Sequence, residues 1–338
     1  MSIDVIIPCY NYGRFLEECV KSVLSQGISS LRVLIINDAS TDHSAGVAES
    51  LKYDPRVHVI HHKTNKGHIY TYNEGIDWVD GDYMLLLSAD DALPDGALKR
   101  AIDALSSNRN IGFVHGNHIK RVTDNHSQSE RLEYDEAGSC TSGQLTIWHG
   151  HDFVRKCCNL PTNPVQTATA VVRTTAQKSV GGYRRELTHS GDYEMWLRLA
   201  AVSDVGFIEH IQGITRIHSS NMRHACYGEN IMRDYQQRYD AFALFFKHLG
   251  SQVKDRALLE RLAYRKLSEE VYWYACAAFE EGATDRMKSA ANLAKTIDPS
   301  IVRTPAWLRL QVKRCIGPSK WRELARWRNH VQSALKAQ

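Results

Sequence analysis

Acidic and polar side chains fall at four places where an apolar run stops. Asp90 and Asp91 end the run YMLLLSADD, Asp38 and Asp42 follow VLIIN, Asn11 ends VIIPCYN, and Asn65-Lys66-Gly67 follow VHVIHHKT. The first of these, bounded by Gly81-Asp82 and Pro94, reads as a strand covered on both faces, the habit of parallel sheets. In open α/β sheets ligands bind at the carboxyl ends of the strands, so two adjacent carboxylates there are placed to hold a hard divalent cation against phosphate oxygens. Asp-Asp followed by Ala-Leu-Pro-Asp also fits a turn that caps a helix starting near Pro94. A further acidic group, in GDYEMWLR at 191–198, opens a helical run. There Asp192 fits either a general base or an N-terminal cap, and Glu194 is the next candidate for the base.

The elements that must position these groups alternate. Ile3-Pro8 reads as a strand, Phe15, Val20, Val23 and Leu24 recur at helical spacing, Leu31-Asn37 is a second strand, and a polar helix starts at about Ser44. Val57-His61, a helix from about His68 to Val79, and the strand ending in Asp90-Asp91 complete a βαβα pattern, which predicts a right-handed parallel sheet. No Gly-x-Gly-x-x-Gly or Gly-x-x-x-x-Gly-Lys-Ser/Thr is present, so a nucleotide would be held without either phosphate loop. From about 122 to 150 the chain is polar and aperiodic, as expected of a long surface loop or flap. A strand at Thr169-Arg173, a helix from about Asp192 to Ala201 and short strands at Gly206-Glu209 and Gly213-His218 follow. Beyond Asn221 the pattern is helical, with a hairpin closed at Gly282 and ended by Asp298-Pro299. The boundary is placed near 222, giving an α/β domain at 1–222 and an all-helical domain at 223–338.

Composition bounds the function. The 338 residues are 43% hydrophobic and 24% charged with a net charge of +4, which excludes disorder and multi-span membrane classes and gives nucleic-acid binding little support. The eight cysteines lack Cys-x-x-Cys spacing and the sixteen histidines lack His-Glu-x-x-His, so neither a zinc hydrolase nor a disulfide framework is expected. The start, MSIDVIIPCYN, has no basic n-region or small-residue cleavage site, and a cytoplasmic protein is expected. From Arg303 to Gln338 nine Lys or Arg stand against the single acid Glu323, with Trp307, Trp321 and Trp327 among them. Such a segment either packs on the rest of the protein or lies peripherally on the inner face of an anionic membrane.

Taken in order, VIIPCYN, VLIINDASTD and NKGHIYTYNEGIDWVDGDYMLLLSADD resemble the inverting glycosyltransferase family 2, whose N-terminal half reads hhhPxYN, hhhhDDxSxD and NxGxxxARNxGhxxAxGxYhhhhDxDD. The resemblance covers about 1–120. It implies a GT-A fold, Rossmann-like with a mixed sheet, here carrying a C-terminal helical extension. It implies that Pro8, Tyr10, Asp38, Lys66, Asp90 and Gly182 line the donor site, with Tyr10 against the nucleobase, Asp38 on its edge and Asp90 on the ribose or sugar. Asp91 and His218 would bind Mn²⁺ or Mg²⁺, a mixed oxygen and nitrogen set that suits Mn²⁺ somewhat better. Asp192 would be the catalytic base. Two positions depart from the pattern: Ser88 stands where the first Asp of Asp-x-Asp-Asp is usual, and Tyr72 where a basic residue is usual, with Lys66 as its substitute.

The expected activity is transfer of a sugar from a nucleoside diphosphate sugar, a UDP-sugar by the family's habit, to a hydroxyl of a glycan or lipid-linked acceptor in cell-surface polysaccharide synthesis. A homo-oligomer is open. An inactive sugar-nucleotide-binding scaffold and a sugar nucleotidyltransferase are the rival readings, the second lacking a glycine- and Lys/Arg-rich phosphate loop in VIIPCYNYGR.

Overall fold

A computed structural model describes residues 1–123, 130–134, 142–219, 221, 231–321 and 323. Strands β1 (Ile3–Cys9), β2 (Leu31–Asn37), β3 (Val57–His61) and β4 (Tyr83–Leu86) are linked by helices α1 (Gly13–Leu24), α2 (Ser44–Leu51) and α3 (His68–Trp78). All four strands are parallel, in the order β3-β2-β1-β4, as the alternation predicts. Helix α4 (Ala97–Ser107) then leads to β5 (Ile111–Thr123), β6 (Glu130–Tyr134), β7 (Leu145–Trp148), α5 (Gly150–Asn159), β8 (Val171–Arg173), α6 (Thr174–Val180), α7 (Gly191–Val202) and β9 (Asp204–Ile217). The full path is β3-β2-β1-β4-β8-β5-β9-β7, with β6 on β5.

Strand direction decides where the site lies. β8 runs antiparallel to β4 and to β5, so β5 points the same way as β4, and β9 pairs parallel with β5. The carboxyl ends of β1, β2, β4, β5 and β9 therefore share one edge of the sheet. Ala92, just past β4, bridges to Ile214 of β9 and draws the two ends together.

Two sequence expectations need correction. The short strands at 206–209 and 213–218 are one strand, β9, whose burial is interrupted at His210 and Ile211 where its register on β5 shifts. A bulge breaks the apolar pattern without ending the strand. The polar stretch from 122 to 150 is not a plain loop: β5 continues to Thr123 and pairs with β6, and β7 closes the outer edge of β9. Arg131 and Leu132 of β6 are exposed, and a wet edge strand has no apolar run to announce it. Residues 124–129 and 135–141 lie outside the described residues.

Helices cover the sheet on both faces. α1, α2 and α4 pack on one side through Leu16, Val20, Val23, Ala48, Leu98 and Leu105, a face set by the 3–4 residue spacing. On the other side α3, α5 and α7 are joined by α8 (Ile231–Leu249) and α9 (Arg256–Glu281). Phe242, Phe245, Phe246 and Leu259 share one buried cluster with Ile6, Met84 and Trp196. The Phe242 ring meets Tyr193 of α7 edge-on at 5.4 Å. α9 stops at Gly282, whose φ of 81° is the left-handed cap expected at that glycine, and α10 (Thr284–Ile297) returns along it. Asp298 then accepts from Ser300 N, and α11 (Pro305–Ile316) follows. The predicted boundary near 222 lies outside the described residues, while the core itself runs on through α8 and α9.

Because Phe242 is wholly buried between the two halves, Phe242→Ala should destabilise the protein by about 3–5 kcal/mol. Unfolding in urea, followed by circular dichroism and by tryptophan fluorescence, should remain one coincident transition. Two separated transitions would show that the helical part folds independently.

Candidate functional site

The end of β4 is held by β9. Asp90, buried in the floor of the crevice, accepts from Ser88 Oγ at 2.5 Å on one oxygen. Its other oxygen meets His218 Nε2 at 3.1 Å and Asn221 Nδ2 at 2.9 Å. Asp91 accepts from the backbone N–H of Arg216 at 3.1 Å, and the Arg216 guanidinium donates to the Asp90 carbonyl and to Glu18. The His218 ring lies 4.8 Å from Phe15 and edge-on to Tyr12 at 5.5 Å. The sequence pairs His218 with Asp91; the structure seats it on Asp90.

A second group forms at the ends of β1, β2 and β3. Tyr10 is 45% exposed beside Pro8, an open ring at the mouth of the crevice. Asn11, at φ 59°, accepts from Thr41 N at 2.8 Å and its own N–H donates to Ser40 Oγ, which ties the β1 turn to the β2 turn. Ala39 is also left-handed, at φ 57°, a strain of about 1–3 kcal/mol for a residue with a Cβ. Asp38 is buried and accepts three bonds from its own chain: Lys66 N at 2.8 Å, Gly67 N at 2.9 Å and His62 Nδ1 at 2.7 Å. His62 in turn meets Glu74 at 2.5 Å. The Lys66 ammonium sits 4.3 Å over the Tyr70 ring rather than at β4. Asp38 thus fixes the 66–67 turn, and Lys66 stands at the β2–β3 side of the crevice.

The third group comes from the chain before β8 and the start of α7. β8 runs antiparallel, so the residues that precede it enter at the crevice edge. Asn163 Nδ2 donates to Asp192 Oδ2 at 2.9 Å and Thr167 Oγ1 at 3.3 Å, while Tyr193 N donates to Oδ1 at 2.8 Å. These bonds favour the charged form, but burial outweighs them and raises the Asp192 pKa above the usual carboxylate value. Glu194, two residues on, is wholly buried and binds Arg184 Nε at 2.7 Å and Arg198 Nε at 2.9 Å. It is a structural ion pair and is closed to any substrate. Arg198 also donates to the carbonyl of Gly182. A Cβ on Gly182 would come within 2.4 Å of Asn73 Oδ1, because Asn73 grips the neighbouring Tyr183 through N and O. Gly182 is therefore required for that close approach.

Among the described residues no three His, Cys, Asp or Glu side chains converge so as to hold a metal by protein ligands alone. Asp91 and His218, the expected metal ligands, form no such group, and His218 Nε2 is 3.1 Å from Asp90 instead. Cavities of about 760 and 510 Å³ lie at the opposite edge of the sheet, around Ile111, Arg173 and Asp204 and around Asp80, Tyr83 and Lys178. Neither contains a sequence-predicted site residue. Sequence reasoning missed Asn163, Thr167, His62 and Asn221; only Asn221, three residues after His218, carried a local signal of its role.

A family model described as glycosyl transferase family 2 matches residues 4–168. Glycosyltransferase GlyG of Streptococcus pneumoniae is 31% identical over 98 residues, 29% of this chain and 33% of GlyG. The chain spans between 31% and 58% of the length of four such curated relatives. The crystal structure of S. aureus TarS 1–349 in complex with UDP-GlcNAc superposes with a TM-score of 0.64 at 14% identity, covering 95% of this chain and 90% of that one. The mannosyltransferase PcManGT from Pyrobaculum calidifontis, in complex with GDP-Man and Mn²⁺, does so with a TM-score of 0.55 at 15% identity, covering 93% and 79%. The fold is GT-A, with a helical C-terminal region.

The raised pKa of Asp192 has a stability consequence of fixed sign. A carboxyl whose folded pKa lies above its unfolded value of about 3.8 stabilises most below that value, and the contribution is lost as pH rises through the folded pKa. Asp192→Asn removes this titration. Whatever constant offset the amide introduces, the variant should gain Tm relative to the parent between about pH 4 and pH 7.5. A difference in Tm that is flat with pH would show that burial does not perturb this group.

Proposed function

Because residues 4–168 belong to glycosyl transferase family 2, we propose that this chain is an inverting glycosyltransferase. In this reading it moves a sugar from a nucleoside diphosphate sugar, a UDP-sugar, to a hydroxyl of a glycan or lipid-linked acceptor in cell-surface polysaccharide synthesis. The observation that carries the reading is the pairing of unlike acids across one crevice. Asp192 is raised in pKa and held by neutral donors, while Asp90 and Asp91 sit opposite at the end of β4. Asp192 Oδ takes the proton of the acceptor hydroxyl as its oxygen attacks the anomeric carbon, and the nucleoside diphosphate departs on the far side toward β4. Attack opposite the leaving group turns an α-linked donor into a β-linked product.

Tyr10 and Pro8 offer the open apolar surface for the nucleobase, and Asp38 serves it indirectly by fixing the turn that carries Lys66. Asp90 faces the ribose or sugar. Asp91 and His218 are the residues that would hold Mn²⁺ or Mg²⁺; when bound, the ion supplies Lewis-acid neutralisation of the departing diphosphate. PcManGT is a relative in fold seen with Mn²⁺, and TarS one seen with UDP-GlcNAc.

The acceptor reading includes peripheral contact with the inner face of a membrane. Among the described residues no helix is long and apolar enough to cross one. α11 exposes Leu308 and Val312 beside Arg309 and Arg314, which suits an anionic headgroup surface. Residues 324–338 of the basic tail, with Trp327, lie outside the described residues. Full-length protein should float with anionic liposomes at low salt, and Arg309→Glu/Arg314→Glu should not. Equal flotation of the two would remove α11 from the membrane reading.

The activity is tested by diphosphate release from UDP-GlcNAc, UDP-glucose and UDP-galactose with Mn²⁺ or with excess chelator. Release should require the metal and fail in Asp91→Ala. Asp192→Asn should bind UDP as the parent does but turn over about 10²–10⁴-fold more slowly, as expected of a lost base. A protein that binds these donors and releases nothing from any of them is the inactive scaffold.

A further inference from the structure

Asp192 is built from two segments far apart in the chain, and one turn of α8 holds both. Residues 160–166, which carry Asn163, and residues 181–190, which lead into α7, are neither helix nor strand, so their positions must be set from outside. Arg238 of α8 donates from Nη1 to the Pro161 carbonyl at 2.6 Å, two residues before Asn163. Its Nε lies 2.9 Å from Asp234 Oδ2, an ion pair without an aligned hydrogen bond, and the other oxygen of Asp234 meets His189 Nε2 at 3.0 Å. Gln237 accepts from the His189 N–H at 2.9 Å and donates to the Glu186 carbonyl at 3.4 Å. Positions 234, 237 and 238 are spaced by three and four, so they share one face of the helix. The contacts close a ring that runs from Asp192 to Asn163, from Pro161 to Arg238, from Asp234 to His189, and along the chain from 189 back to 192. Outside the ring, Glu270 of α9 meets Arg238 at 2.8 and 3.0 Å.

We propose that Asp234 and Arg238 are positioning residues for the transfer reaction, clamping both segments to α8 so that Asn163 and Asp192 stay in register. This rests on the glycosyltransferase reading, with Asp192 as its base, and deepens it. Pro161 has no N–H, so its carbonyl is the one backbone group through which that residue can be held, and Arg238 takes it. Arg238 is buried, and a guanidinium taken out of water keeps its place only while its carboxylates do, which ties the Pro161 bond to Asp234. Asp234 in turn sets His189, three residues before the base. α8 is itself fixed in the core through Phe242, Phe245 and Phe246, on the turns that follow. The helical region then serves the base site directly, at two points on either side of one carboxylate. Precision is what such a clamp supplies, since a displacement of about 1 Å from the productive geometry can cost up to about 10²-fold in rate.

Asp234→Asn keeps the shape of the side chain and removes the charge that pairs with Arg238. Parent and variant are compared in Tm, in UDP affinity by calorimetry with Mn²⁺ present, and in the pH dependence of kcat for UDP release from UDP-GlcNAc, UDP-glucose and UDP-galactose. UDP affinity should be unchanged, and kcat should fall by about ten- to a hundredfold. The acid limb of kcat, which reports the base, should move to higher pH. A slackened Asn163 bond and a His189 no longer held by a carboxylate both favour the neutral form of Asp192. Tyr72 and Tyr183, which also interact with Asp192, are pushed up by burial and stay neutral throughout. Glu270→Gln loosens Arg238 from α9 and leaves the ring intact, so it should lower Tm while kcat and its acid limb keep the parent values. Should Asp234→Asn fail to fold, Gln237→Ala removes the two bonds to the 186–189 stretch without touching a charge, and it should lower kcat at unchanged UDP affinity. A parent-like kcat in the variant that folds, an acid limb that stays in place while Tm falls in Asp234→Asn, or a loss of UDP affinity alongside kcat overturns the clamp and leaves the transferase reading standing. A parent that releases UDP from none of the three donors overturns the reading on which the clamp rests.

Discussion

The crevice depends on the closure of β9 over the end of β4. A strand that ends in Ser-Ala-Asp-Asp leaves two carboxylates at the edge of an apolar sheet, and neither is supplied with a lysine or arginine from its own element. β9 supplies what is missing through backbone and neutral groups: Ile214 bridges Ala92, Arg216 N–H meets Asp91, and His218 with Asn221 meets Asp90. This geometry requires β9 to run parallel to β5, so that its last residues arrive at the edge where β4 ends. The long β5–β9 pair, with its register shifts around Gly116 and Asn117, sets where that arrival falls. β8, inserted antiparallel between β4 and β5, brings Asn163 and Thr167 to the same edge from the other direction.

Charge balance follows from that arrangement. Asp38, Asp90, Asp91 and Asp192 all face or underlie one crevice, and Asp38, Asp90 and Asp192 are held mostly by N–H, hydroxyl, amide and imidazole groups. Such donors fix a carboxylate without cancelling its charge. A doubly charged diphosphate cannot enter beside Asp90 and Asp91 unless positive charge enters with it, since like charges at close range cost several kcal/mol in a partly desolvated site. Among the described residues, Arg216 binds Glu18 and Lys66 lies over Tyr70. In the proposed function, a divalent ion bound with the diphosphate would supply that charge.

The part of the fold written in local pattern was legible. Runs such as DVIIPC and RVLIIN can be read as parallel strands because both faces are covered, and Gly282 and Asp298-Pro299 mark their turns by residue type alone. What escaped was non-local. His218 and Asp90 are 128 residues apart, and no spacing rule joins them. Asp38 reads as a ligand group in the motif, yet its oxygens accept from Lys66, Gly67 and His62, a pairing that exists only once β2 and β3 lie side by side. β9 was read as two strands because a bulged strand with His210 and Gln212 in its middle has neither the alternation of an edge strand nor the apolar run of a central one.

Asp192 and Glu194 lie on the same helical turn but are held by different kinds of partner. Both lie near the N-terminus of α7, where the helix favours negative charge. Glu194 points into the core, where an unpaired charge would be prohibitive, and two guanidiniums hold it; removing both would leave a buried charge uncompensated. That pairing fixes the start of α7 to the Gly181–Tyr183 turn through Arg198 and the carbonyls of Val180 and Gly182. With the helix start anchored by its neighbour, Asp192 needs no ion pair to hold its place, and amide and hydroxyl donors suffice to orient it. An arginine at Asp192 would have lowered its proton affinity and removed it from base chemistry. In the proposed mechanism the buried ion pair at Glu194 does the anchoring and leaves Asp192, held by neutral donors, for the proton transfer.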